Sequence, residues 1–278
     1  MRVPDRDCQR LFVVGLVACL VVAAVGRQTR AEGVVLRVES EVFVNDDKTP
    51  AATSLTLFQN GITWDFLDAP ADGGEGDIIL HDPARERVVV LDPQRNLKTE
   101  IRTIRLERLN VSLATWARQS DDALIKWAGA ADFGDALTTD GDRVELIGPR
   151  VQYTVEFTRS SNDEAVAAYR RFADTAMLLK ALLQPGGIPP FPRLAINRHV
   201  EAAGGIPSAV TLCITPKLSL LPGAGDTLRS VHKVHPQLID GDHSRIDAAG
   251  AQLIVAEEVD LEEFVRRRHE ARSDHPDS

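Results

Sequence analysis

Cysteine is nearly absent: the 278 residues hold three, Cys8, Cys19 and Cys213. Two of them precede Glu32, so a chain beginning at Glu32 has one thiol, and a scaffold held by intramolecular disulfides is excluded. Aromatic residues are scarce at 5%, which leaves aliphatic side chains to build most of the core. An excess of positive charge is also missing. The net charge is −9, and because five arginines face two aspartates before Glu32, the remainder carries −12. Such a field repels nucleic acid and anionic lipid head groups, and it disfavours a general DNA or RNA binder. There is no G-x-x-x-x-G-K-[ST], no H-E-x-x-H, no C-x-x-C and no G-x-S-x-G, so the usual signs of a P-loop, a zinc peptidase or a nucleophile elbow are absent. The glycines of Gly73-Gly74-Glu75-Gly76 and Gly223-Ala224-Gly225 lack the following helix that a phosphate cradle needs, and both read as loops.

One long apolar run is present. Arg2, Arg6 and Arg10 precede Leu11–Gly26, sixteen residues that are short for a membrane span and suited to a signal-peptide core. Thr29 and Ala31 place small residues at −3 and −1 of a cut before Glu32, so residues 1–31 are expected to direct export to the periplasm or cell envelope. Two other outcomes stay open. Leu16-Val17-Ala18-Cys19 resembles a bacterial lipobox with Cys19 lipidated, and an uncleaved segment would be a membrane anchor.

The strongest local pattern lies in Asp77–Ile104. Apolar runs at Ile78–Leu80 and Val88–Leu91 are punctuated, ten residues apart, by Asp82-Pro83-Ala84-Arg85 and Asp92-Pro93-Gln94-Arg95. Proline pre-sets φ near −65° and cannot donate to a strand ladder, and the preceding Asp can cap the turn. This predicts a tight meander whose last strand runs from Leu97 to about Ile104. Val34–Val44 reads as an earlier strand. Asn60-Gly61 between Leu55–Phe58 and Ile62–Leu67 is a hairpin signal, because both positions tolerate positive φ. Helices are expected from the spacing of Leu106, Leu109, Leu113, Trp116 and Ala117, from Leu124 to Ala128, and from Val166 to Leu183 behind a cap at Ser161–Glu164. Asp142–Ile147, Val151–Phe157 and Ala209–Ile214 read as strands, Arg193–Ala203 as a short helix, Leu228–Ile239 as a further strand and Leu261–Arg272 as a charged helix. The expected fold is α+β: a curved antiparallel sheet, a half-barrel-like meander, with helices packed on one face. The expected organisation is a leader (1–31), a sheet and helix-lid domain (32–215) and a C-terminal extension (216–278).

Candidate chemistry is thin. His232, His235, Asp240, Asp242 and His243 carry suitable zinc ligands, but strand residues three apart face opposite sides, and the stretch reads as a solvated loop; no metal or cofactor is expected. The acidic residues sit mostly in turns, and none of their spacings argues for an acid/base pair. Asn110-Val111-Ser112 matches a glycosylation sequon inside a predicted helix. Trp64, Phe66, Phe157, Tyr169 and Phe172 are candidate lining for an apolar cavity. Arg85, Arg87, Arg95, Lys98, Arg102, Arg105 and Arg108 form a basic run that could dock an acidic partner.

A strand, a hairpin at Asn60-Gly61, ITWDFL and then DIILHDPARERVVVLDPQRNLKTEI, followed by helices through about residue 187, resembles the lipoprotein-carrier-like (LolA/LolB-like) superfamily. The resemblance implies a concave sheet lidded by Leu106–Ala128 and Val166–Leu183 and holding acyl chains, without enzymatic activity. It does not extend past Gly187 and carries over no individual functional residue. Two readings of the same fold stand beside it: a structural or interaction module of the envelope with a filled interior, and a metal-dependent hydrolase using His232–His243.

Overall fold

The computed structural model describes residues 33–68, 76–215 and 226–273. The leader lies outside the described residues. The rest is α+β, built on a large, open, curved sheet.

Six strands come first as a meander: β1 (Leu36–Val44), β2 (Ala52–Gln59), β3 (Ile62–Leu67), β4 (Ile78–Asp82), β5 (Arg87–Asp92) and β6 (Leu97–Arg102). The two Asp-Pro repeats fold alike. Asp82 Oδ1 accepts from the Arg85 N–H at 3.2 Å and its Oδ2 meets Arg85 Nη1 at 3.1 Å; Asp92 does the same with Arg95 at 3.1 and 2.8 Å. Each turn ends on a residue with positive φ, Glu86 or Asn96. At Asn60-Gly61 both φ values are positive, as the hairpin requires. Strand β6 stops two residues earlier than the pattern suggested, because α1 (Thr103–Arg118) takes over the chain at Thr103.

After α1 and α2 (Ala123–Ala128) a second meander runs through β7 (Leu137–Asp140), β8 (Arg143–Gly148) and β9 (Val151–Arg159). Then come α3 (Asp163–Leu183), capped by Asn162 Oδ1 accepting from the Ala165 N–H at 3.0 Å, and α4 (Phe191–Ala202). Strands β10 (Gly205–Ile214) and β11 (Asp226–His235) complete this half. The chain finishes with α5 (Asp240–Val255), the two-residue β12 (Glu257–Glu258) and α6 (Leu261–Ser273).

The strand order is β12-β6-β5-β4-β3-β2-β1-β11-β10-β9-β8-β7. Neighbours are antiparallel, except that β12 lies parallel on β6. The two meanders meet where β1 pairs with β11 over eight residue pairs. Strand β11 is therefore built into the middle of the sheet, while β12 lies at its edge. Residues 32–278 form one compact unit.

Side-chain alternation gives the sheet two apolar faces. On the inner face, Leu36, Phe58, Thr63, His81, Val88 and Ile101 form one cross-strand row and Val38, Thr56, Asp65, Ile79, Val90 and Thr99 the next. Helices α1, α3 and α6 close over this side through Leu106, Leu179 and Phe264, and α4 with α2 covers the inner face of β8–β10. The outer face holds Leu57, Trp64, Phe66, Leu80 and Val89, and α5 covers it with Ile246, Ala249 and Leu253. The sequence pattern does not announce this outer helix. It is fixed at its start by Asp242, which accepts from the Ile239 N–H at 2.9 Å and ion-pairs with Arg37 on β1 at 3.0 Å. The acidic β12 shields one sheet edge. The other edge is β7, a four-residue strand exposed beyond its first residue, and both features blunt pairing with other chains.

Candidate ligand cleft

Between α3, the start of α1 and the ends of β3–β5 the inner face opens into a cleft of about 380 Å³. Its floor is the inner-face row of Phe58, Thr63, His81 and Val88, and its wall is Ala168, Phe172 and Leu178 of α3. Glu86, Arg87, Glu107, Glu164 and Arg171 also line it, so charged side chains frame a largely apolar interior. Phe58, Tyr169 and Phe172 make a three-ring cluster with centroids 5.7–6.4 Å apart.

Titratable groups are placed on this apolar floor by strand alternation. His81 is buried edge-on against Phe172 at 5.1 Å, and burial pushes it down to about 4, so it is neutral near pH 7. Its Nε2 is sealed from solvent and has no hydrogen-bond partner among the described residues. In the next row Asp65 accepts from Thr56 Oγ1 at 2.8 Å; burial raises its carboxyl to about 6, with the Thr56 bond opposing. Further across, His232 of β11 is held by the Ser40 hydroxyl at Nδ1 (2.8 Å) and the Ser230 hydroxyl at Nε2 (3.1 Å). It too is pushed down to about 4, by burial first and by the charge of Arg193 second. Arg193 stands in the first turn of α4 and acts electrostatically on Tyr153, Tyr169 and Asp174.

The five aromatic candidates do not share a cavity. Trp64 and Phe66 stack on each other at 6.5 Å on the outer face beneath α5. Phe157 lies on the inner face of β9 under α4, and Tyr169 and Phe172 sit on α3. Among the five, Phe172 lines the cleft and Tyr169 backs it. The ITWDFL strand is buried on both faces, so aromaticity alone does not say which face meets the cleft. The alternating partners Thr63 and Asp65 do face inward.

From Arg85 to Arg102 the basic run is partnered, while Arg105 and Arg108 on α1 are exposed. Arg85 pairs with Asp82 and Arg95 with Asp92, while Arg87 bridges Asp82 at 3.3 Å and Glu100 at 2.7 Å. Arg102 is 3.7 Å from Glu86, and Lys98 donates to the Leu253 carbonyl at 2.9 Å and lies 3.7 Å from Glu258. Arg87 and Lys98 border an outer groove of about 260 Å³ between β4–β6 and the end of α5. The histidine-rich stretch is dispersed: His232 faces inward, His235 lies on the opposite face, Asp242 caps α5, and His243 meets Gln59 at 3.1 Å. Among the described residues no group of three His, Cys, Asp or Glu side chains is placed to hold a metal ion.

His81, Asp65 and Arg193 were missed as site residues. A weak signal existed for the first two, since strict alternation in IILHD and ITWDFL puts a histidine and an aspartate on a buried face. No protein-family model matches the chain, and no curated protein matches it. Among solved structures, a LolA superfamily protein from Nitrosomonas europaea aligns over 76% of this chain and 89% of that one, with 10% identity and a TM-score of 0.25.

Proposed function

We propose that this is a non-enzymatic binding protein that holds the hydrocarbon chain of a lipid or lipoprotein between the inner face of the sheet and α3. The observation that carries the reading is the cleft of about 380 Å³ floored by Phe58 and Val88 and walled by Phe172 and Leu178. Its volume lies in the range of small-molecule sites, which combine apolar walls with few polar groups. His81 supplies one such group, neutral and unpartnered at Nε2. Export to the envelope, expected from residues 1–31, would place the protein where such chains need shielding from water. The competing interaction-module reading relies on a basic run in which the charges of Arg85, Arg87, Arg95, Lys98 and Arg102 are already met by Asp82, Asp92, Glu86, Glu100 and Glu258.

Native mass spectrometry of the protein purified from a membrane-containing host, followed by lipid extraction, tests this. Acyl species that co-purify and leave on mild denaturation support it. A clean apo mass, together with no uptake of added fatty acid, refutes it.

A further inference from the structure

Resting on that reading, we propose that Arg193 anchors the acidic head of the ligand, and that the ligand is a long-chain carboxylic acid whose tail runs past Tyr169 towards the cleft. Arg193 Nη1 is sealed from solvent without a hydrogen-bond partner among the described residues. Among the groups acting on Arg193, Asp174 is the one carboxylate, and it is already occupied: Asn197 Nδ2 donates to it at 2.7 Å and Arg170 Nε lies 2.7 Å away.

A guanidinium in the first turn of a helix also sits at the positive end of the helix dipole, where a cation is disfavoured and an anion favoured. The surroundings add hydrogen-bonding groups, and the other arginines about Asp174 are Arg170, ion-paired to it at 2.7 Å, and the exposed Arg198. Tyr153 and Tyr169 are both near enough for the charge to act on their phenols, and the neighbouring His232 is neutral between Ser40 and Ser230. A single buried guanidinium matches a monoanion and would leave a phosphate monoester half compensated. A planar carboxylate also fits its paired N–H donors. Tyr169 links head and tail, because the same ring packs against Phe58 and Phe172 of the cleft.

The test titrates the delipidated protein with oleate and with oleyl alcohol, which share a tail, by displacement of a dansyl-labelled fatty acid. The wild type is expected to prefer oleate at least about tenfold. Arg193→Gln should lose that preference while keeping its affinity for the alcohol, and Arg193→Lys should keep part of it. Equal affinity for acid and alcohol in the wild type, or an unchanged preference in Arg193→Gln, overturns the anchor and leaves the cleft reading intact. Failure of both ligands to bind overturns the two together. Thermal protection by acetate or inorganic phosphate alone, with no gain from a tail, identifies a small-anion site and overturns the assignment to a long-chain acid.

Discussion

Asp65→Asn should make the protein more stable, and the gain should depend on pH. The carboxyl is buried on the inner face and accepts one hydrogen bond, from Thr56. Burial raises it from 3.8 to about 6. In the unfolded chain the proton leaves near pH 3.8, while the folded protein keeps it until about 6. Across that window the native state binds more protons, so stability falls as pH rises, by about 3 kcal/mol in total, and stays lowered above it. Asparagine is neutral throughout and its Oδ1 still accepts from Thr56. Urea unfolding of wild type and variant should therefore show a gain of about 3 kcal/mol near pH 7.5 and roughly half that near pH 5. An equal gain at both values, or a loss at both, would refute the claim that Asp65 is desolvated.

His81 works in the opposite direction. Its folded value lies below the unfolded one, so the stability it carries is present above pH 6.5 and lost as pH falls towards 4, by about 3 kcal/mol. His81→Gln should flatten that limb of the urea midpoint against pH, and an unchanged slope would count against the burial argument. Gly205→Ala would bring a Cβ within 2.2 Å of the Phe157 ring, an overpacking expected to cost about 1–3 kcal/mol in thermal unfolding. Phe157→Leu in the same chain should recover part of it, and no loss in the single variant would mean the strand yields there. Asp242→Ala leaves Arg37 with Glu39 as its remaining partner and frees the Ile239 N–H, so about 1–2 kcal/mol of stability should go. Hydrogen exchange should then speed up first in α5, and uniform protection across α5 would contradict its role as the clasp.

Legibility in the sequence followed the range of the forces involved. The β4–β6 meander could be read because each Asp-Pro turn is closed within four residues by its own aspartate. Helix α3 could be read because its stripe and its cap at Asn162 are local too. Helix α5 could not: Ile246, Ala249 and Leu253 are a sparse stripe among Asp, His, Ser and Arg, and the helix is held by outer-face residues of β2–β5 and by Arg37, more than 200 residues away in sequence. That single omission also hid which side of ITWDFL faces the cleft, since α5 takes Trp64 and Phe66 for itself. Strand β7 was missed because, paired only to β8 at the sheet edge, it has a single half-buried residue, Leu137, and no buried face to write an alternation. Arg193 gives no sign in the sequence at all. An arginine in a first helical turn is ordinary until the tertiary fold seals its Nη1 without a hydrogen-bond partner.

The junction of β1 with β11 has a consequence for how the chain is made. Leu36–Val44 is synthesised long before its partner Asp226–His235, and until that strand appears β1 can pair only with β2. Its free edge is then an open template for other chains, and the closing contact joins strands far apart in sequence, the kind of pairing that slows folding. A protein wired in this way cannot finish its sheet domain by domain as it emerges. Closure of the sheet waits for β11 and depends on whatever guards that first strand in the meantime.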